Sequence, residues 1–262
     1  MKKWMKLTAL VLSLAMALSL LAGCGSSAGS DADSSTTGGD DAAKTKLVVA
    51  TSPDFPPFES LEGGQVVGIE VDILNKVAEK MGMELDIQQM DFDSVIPGVQ
   101  AGKFDVGMSG ITVTEKRKAN VDFSSVYFMA AQAIVVTADS GITGKADLEG
   151  KTVSVQTGTT AEDYCMANGY EVLAFTANND AAAALTGGKV DVWVVDNEVA
   201  LAMAPQLGLT VLDEAMTSEP YAFAFQKDSE LLSSFNEALD ALLADGTVEQ
   251  IFSDYGVTYI AP

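Results

Sequence analysis

The feature that most restricts the fold is a joint that occurs twice. Gln100-Ala101-Gly102-Lys103-Phe104-Asp105-Val106 and Thr186-Gly187-Gly188-Lys189-Val190-Asp191-Val192 each end a helical pattern on glycine and pass through Lys-x-Asp into an apolar run. Each joint sits in a series that opens on a short apolar segment running into a loop, KLVVAT from Lys46 in one and KTVSVQ from Lys151 in the other. In the first series Val71, Leu74, Val77, Ala78 and Met81 fall on one helical face ended by Gly82, and the stretch from Glu84 to Gln89 alternates like a strand. In the second, Glu171 to Phe175 reads as a strand and Asn178 to Leu185 as an Ala-rich helix. Alternation of strands and helices argues for parallel sheets, because a parallel pair needs a crossover long enough for a helix. Two similar series predict two α/β lobes rather than one long sheet.

In sheets of this kind ligands sit beyond the carboxyl ends of the strands, and five loops of this chain fall there. Ser52-Pro53-Asp54-Phe55-Pro56-Pro57-Phe58-Glu59 is stiffened by three prolines, which exclude helix or central strand. It presents Phe55 and Phe58 either to a core or as ligand walls. Met90 to Asp93 forms a second loop, containing Phe92. The third is Ser109-Gly110-Ile111-Thr112, followed by Thr114 as a helix N-cap and Arg117 at the third helical position. A cation there opposes the helix dipole by roughly 0.3–1 kcal/mol. Helical side chains lean towards the N-terminus, so Arg117 would reach back over the Gly110–Thr112 turn. A guanidinium, a Thr hydroxyl and backbone N–H groups could converge there on a carboxylate; a solvated basic turn is the alternative, since Lys116 and Lys118 flank it. In the fourth loop, Thr157 to Thr160, both Thr159…Glu162 and Thr160…Asp163 match a capping box. That turn is a plain cap or an anion seat. Asp196 ends the last apolar strand just before a helix, as a cap or as a site acid.

Composition bounds the compartment and the chemistry. Met1 to Lys6 is basic, Leu7 to Leu20 is apolar, and Leu21-Ala22-Gly23-Cys24 is a small-residue site. This predicts an export signal over residues 1–23, too short for a membrane-spanning helix. Cys24 after Leu-Ala-Gly resembles the bacterial lipoprotein signal, in which that Cys is lipidated and becomes the mature N-terminus. Residues 24–45, rich in Gly, Ser, Ala, Thr and Asp without aromatics, read as a flexible tether. The formal charge of −22 becomes more negative when the signal leaves, which argues against nucleic acid as a partner. Cys165 has no second cysteine to pair with in the mature chain, and with no His anywhere it reads as a core residue rather than a nucleophile. No metal-ligand cluster, phosphate loop or Ser/His/Asp set is present, so neither metal nor cofactor is expected.

The segments ATSPDFPPFE, GIEVDILNKVAEKMG, FDSVIPGVQAGKFDVGMSGITVTEKRKANVDFS, GKTVSVQTGTTAEDY, DVWVVDNEVA and YAFAFQKD resemble the extracellular solute-binding proteins of ABC importers, polar amino-acid family. The resemblance implies a periplasmic-binding-protein-like clamp, α/β, each lobe a mainly parallel sheet flanked by helices. Residues 46–130 plus 222–262 would form one lobe and 131–221 the other, with hinge crossings near Tyr127–Ala130 and Thr217–Tyr221. Carried over by residue, Arg117 would grip a free L-amino acid's carboxylate, supported by Ser109, the backbone of Gly110, and Thr112. Thr159 or Thr160 would contact it from the other lobe, Asp196 would take the ammonium, and Phe55 and Phe92 would wall the side chain. Some relatives that bind cationic side chains carry Asp where this chain has Ser52, which leans towards a neutral polar amino acid; Asp54 and Gln156 lie nearby. The implied protein is a monomer, not an enzyme, tied to the cell membrane through Cys24 and facing outward or into the periplasm. It would deliver to ABC importer permease subunits. The alternatives are a cyclohexadienyl dehydratase-like enzyme on the same fold and a sensory lipoprotein.

Overall fold

A computed structural model of the protein describes residues 45–262. The expected export signal, Cys24 and the tether as far as residue 44 lie outside the described residues. Strand Lys46–Thr51 runs parallel to Glu84–Gln89 on one side and to Val106–Gly107 on the other. The sheet continues through Ala224–Gln226 to Val121–Phe123 by antiparallel ladders. The second five-stranded sheet repeats this plan. Thr152–Gln156 lies parallel to Glu171–Phe175 and Val192–Asp196, and Gln132–Thr137 and Leu209–Val211 follow antiparallel.

The doubled Lys-x-Asp joint does the same work in both sheets. The N–H of Val48 donates to Asp105 Oδ2 at 2.8 Å, and that of Thr152 donates to Asp191 Oδ2 at 2.9 Å. The N–H groups of Asp105 and Asp191 donate back to the carbonyls of Val48 and Thr152. Each aspartate thereby pins its strand one residue before the ladder begins, at Val49↔Val106 and Val153↔Val192. A slip of one residue would turn every buried side chain outward, so such a pin has real consequences for register.

The chain crosses between the sheets twice, outward through Phe128–Ala130 and back through Glu219–Tyr221. These segments pair antiparallel, with Phe128 opposite Tyr221 and Ala130 opposite Glu219. The architecture is a two-lobed α/β clamp. Aromatic packing anchors the crossings on the first lobe: Phe128 stacks on Phe252 at 4.5 Å, Tyr127 on Phe223 at 4.8 Å, and Phe58 meets Tyr221 edge-on at 5.2 Å. Phe58 is therefore core. Helix Ile69–Met81 buries Ile69, Val71, Ile73, Leu74, Val77 and Ala78, and Gly82 ends it in the left-handed region at φ 67. Each fully buried Val, Ile or Leu contributes about 1.5–3 kcal/mol. The C-terminal helices Leu231–Ala244 and Thr247–Asp254 pack on this same helix. Among the described residues no helix is long and apolar enough to cross a membrane.

Three local expectations change. The proline-rich loop holds a two-residue edge strand, Asp54–Phe55, which pairs with Glu59–Glu62 and through it with Gln65–Val67; Pro56 and Pro57 fall in the turn, where no ladder bond is lost. Helix Phe92–Gln100 starts on Phe92 itself. The YAFAF run, which reads as a strand over Tyr221–Phe225, splits, because Tyr221 belongs to the crossing pair while Ala224 joins the first sheet.

Candidate functional site

Arg117 is turned inward by its own short helix. The Thr114 hydroxyl accepts the N–H of Arg117 at 3.1 Å and caps helix Glu115–Lys118. Arg117 is buried, whereas the flanking Lys116 and Lys118 side chains are 76% and 50% exposed. The solvated-turn alternative therefore holds for the lysines only. Nη1 of Arg117 donates to the Thr112 carbonyl at 2.9 Å and Nη2 to the Gly158 carbonyl of the other lobe at 3.1 Å. Its Cζ lies 5.5 Å from the centre of the Phe92 ring. Two of the five guanidinium N–H donors are thus engaged, and the fork keeps capacity for a further acceptor. Burial lowers the Arg117 pKa, and the acids Asp196, Glu219 and Asp163 oppose that.

The turn before Arg117 is held from behind by a buried acid, Glu70. Gly110 has φ +52, and a Cβ there would stand 2.6 Å from Phe55 Cε1, so only glycine fits. Its N–H donates to Glu70 Oε2 at 2.9 Å. The Gly110 N–H is thus engaged within the protein, and the missing side chain leaves room beside Phe55. The other Glu70 oxygen accepts from the Tyr127 hydroxyl. Glu59 lies fully buried with neither oxygen hydrogen-bonded, and burial followed by the Glu70 charge pushes its pKa well above the usual range. Ser109 Oγ accepts the N–H of Ser52 at 2.8 Å, and Thr112 forms an isolated bridge to Tyr221.

Asp196 stands at the N-cap position of helix Asn197–Met203 but makes no capping bond. Its Oδ1 accepts from Gln132 Nε2 at 2.5 Å, and its Oδ2 accepts from the Tyr221 hydroxyl. Burial, then the Glu219 carboxylate, push its pKa up to about 7 against the pull of Tyr221, Gln132 and Arg117. Gln132, Tyr221 and Glu219 are absent from the sequence-derived candidates. Gln132 is the direct antiparallel partner of Asp196. Its one sequence signal is a polar residue opening an apolar strand.

Of the two capping patterns in the fourth loop, Thr159–Glu162 is the one formed. Thr159 Oγ1 accepts the Glu162 N–H at 3.2 Å and donates to the Gln156 carbonyl at 2.7 Å. The Thr160 hydroxyl instead accepts from Gln132 at 3.3 Å. Phe55, Phe92, Ser109, Gly110, Thr112, Arg117, Gln156, Thr159, Thr160 and Asp196 line one cavity. Ser52 does not line it, because its hydroxyl donates to Asp54 Oδ1 at 3.0 Å. Asp54 reaches across the cleft, accepting the Asn178 N–H at 2.7 Å and Gln156 Nε2 at 3.3 Å. Lys116 pairs with Asp163 at 2.9 Å, also across the cleft. With the lobes closed in this way the cavity has about 10 Å³, room for about one water.

The sequence profile of the bacterial extracellular solute-binding proteins, family 3, matches residues 47–258, and the chain belongs to that family. The arginine-binding extracellular protein ArtP of Bacillus subtilis (strain 168) is 34% identical over 259 residues, covering 96% of each chain. The ABC transporter arginine-binding protein 1 of Escherichia coli (strain K12) is 31% identical, covering 80% of this chain and 90% of its own. An ancestral arginine-binding protein, solved with arginine and with glutamine bound, is 40% identical over 81% of this chain and 98% of that one, with TM-scores of 0.76 and 0.77. The protein is a solute-binding protein of the ABC-importer type and not an enzyme.

Proposed function

We propose that this protein captures a free polar L-amino acid outside the cell membrane and delivers it to ABC permease subunits. Arg117 takes the carboxylate as a bidentate pair and Asp196 takes the ammonium. What supports this reading is the lining of one cavity by a buried guanidinium of one lobe and a buried carboxylate of the other. A zwitterion needs opposite charges held rigidly and partly dehydrated. Phe55 and Phe92 flank the side chain, with Thr159, Thr160 and Gln156 adding polar contacts. Relatives named for arginine favour a basic side chain over a neutral one, and Asp54, outside the lining but bonded to Gln156 within it, is the carboxylate beside that end of the cavity. The lobes divide at 130/131 and 221/222. A lipid on Cys24 keeps the monomer at the membrane.

A thermal-shift panel of the twenty L-amino acids on the full chain, purified in detergent, tests this. An amino acid at a hundredfold excess over its dissociation constant should add about 2.7 kcal/mol of stability. Arg117→Ala and Asp196→Ala should each abolish the shift while the protein still unfolds cooperatively. Unchanged shifts in both variants would place binding elsewhere.

A further inference from the structure

Glu219 is left without a role by that assignment. It opens the returning crossing strand and is 4% exposed. No hydrogen bond among the described residues reaches its carboxylate, yet its oxygens are not enclosed as those of Glu59 are. Alternate residues of a strand share a face, so Glu219 stands beside Tyr221. The Tyr221 hydroxyl donates to Asp196 Oδ2, which turns this face towards the acid end of the cavity. The field of Glu219 is felt at both charged residues of the cleft, raising Asp196 and favouring the charged form of Arg117. One guanidinium therefore lies in the field of two carboxylates, Asp196 in the lining of the cavity and Glu219 outside it.

An α-ammonium brings one positive charge and three N–H donors. Asp196 already spends Oδ1 on Gln132 and Oδ2 on Tyr221. A second acid nearby would complete the shell of a dehydrated ammonium, which is costly to bury with any donor unmatched. We infer that Glu219 is a second carboxylate of the ammonium seat, reaching the ligand from the crossing strand rather than from either lobe. This rests on the amino-acid-binding reading above. It assigns to the hinge a direct contact with the part of the ligand that all amino acids share.

The test is calorimetric titration of the full chain in detergent, as wild type, Glu219→Gln and Glu219→Asp. The probes are the twenty L-amino acids and two 2-hydroxy analogues, argininic acid and 2-hydroxyglutaramic acid, which replace the ammonium by a hydroxyl. Glu219→Gln should weaken every amino acid that the wild type binds by a common factor of about 10–100, the range for a hydrogen bond to a charged group. The hydroxy acids should change by less than about threefold, since the hydroxyl carries no charge to pair. Glu219→Asp, which keeps the charge but draws it back, should lose less. Equal losses for amino and hydroxy acids, a loss confined to basic side chains, or no loss would each overturn the inference while leaving the binding reading intact. A wild-type chain that binds none of the twenty would overturn both. Should Glu219→Gln fail to fold, the arginine-to-argininic-acid ratio in Glu219→Asp decides by the same criterion.

Discussion

The two lobes are built alike but bring side chains of opposite charge to the cleft. In each, the strand that follows the Lys-x-Asp joint leads to the charged residue of its lobe. In the second lobe Asp196 is the last residue of that strand, Val192–Asp196. In the first, Val106–Gly107 gives way to a glycine turn and a capped helical turn before Arg117. The supports differ as well. Asp196 is held by Gln132 of its own sheet and by Tyr221 of the crossing. Arg117 has one carbonyl partner in its own lobe, Thr112, and one in the other, Gly158. Opening the cleft therefore strips Arg117 of a partner and leaves the Asp196 hydrogen bond to Gln132 in place. The sheet plan repeats while the charged residues at its strand ends differ, and closure completes the environment of the cation.

The largest effect should come from removing each charge in turn, because the lobes should respond differently. Arg117→Ala takes away the buried cation whose charge favours the ionised form of Asp196, and should lower both affinity and melting temperature. Asp196→Asn should lose affinity yet keep or gain stability in the absence of amino acid. The reason is the sign of its titration. Folded Asp196 has its pKa raised to about 7, above the ordinary 3.8, so between those values the folded state holds a proton the unfolded state has lost. Its contribution is then most favourable at low pH and falls as pH rises from about 4 to about 7, by up to about 4 kcal/mol. Melting curves of wild type and Asp196→Asn at pH 5 and pH 8 measure it: the variant's advantage should grow at pH 8. An advantage that is flat with pH would mean Asp196 is charged throughout.

Much of this frame is legible in the chain because it is local. Thr114 three residues before Arg117 specifies both the helix start and the inward lean of the guanidinium, and the repeated Lys-x-Asp announces two related sheets. What escapes is decided by pairing at long range. Gln132 meets Asp196 through an antiparallel register 64 residues apart in sequence. The Gly110 N–H is taken by Glu70 from a helix 40 residues earlier. Choosing Thr159 over Thr160 as the cap needs the position of Gln132. Glu219 and Tyr221 fall at a crossing whose pairing with Phe128–Ala130 lies about 90 residues back in the chain. Nothing in short-range spacing carries that information, since hydrophobic periodicity reports a face and not a partner.

A smaller effect tests the equivalence of the joints. Asp105→Ala and Asp191→Ala each remove a charged acceptor from a strand N–H, a bond of about 1.5–3 kcal/mol at most and less where water can replace it. The Val48 bond is part-buried and the Thr152 bond exposed. Denaturant titration should show the first-lobe variant the more destabilised, both losing stability without losing affinity. A variant that binds less but unfolds like the wild type would show that its joint does more than hold register.

The smallest effect concerns the two lobes' mutual contact. Lys116 and Asp163 meet at 2.9 Å across the cleft, with 76% and 55% of their side chains exposed. An exposed pair is worth about 0–1 kcal/mol and is screened by salt. It joins different lobes, so it exists only when they are closed, and whatever it contributes should enter amino-acid affinity. Lys116→Ala should weaken binding by less than about fivefold at low salt, with the difference vanishing near 0.5 M, where the screening length has shrunk to about 4 Å. Because Lys116 neighbours Arg117, a salt-independent loss would mean that the short helix has been disturbed and not the pair. A loss that follows salt would show that closure itself is the step the pair assists.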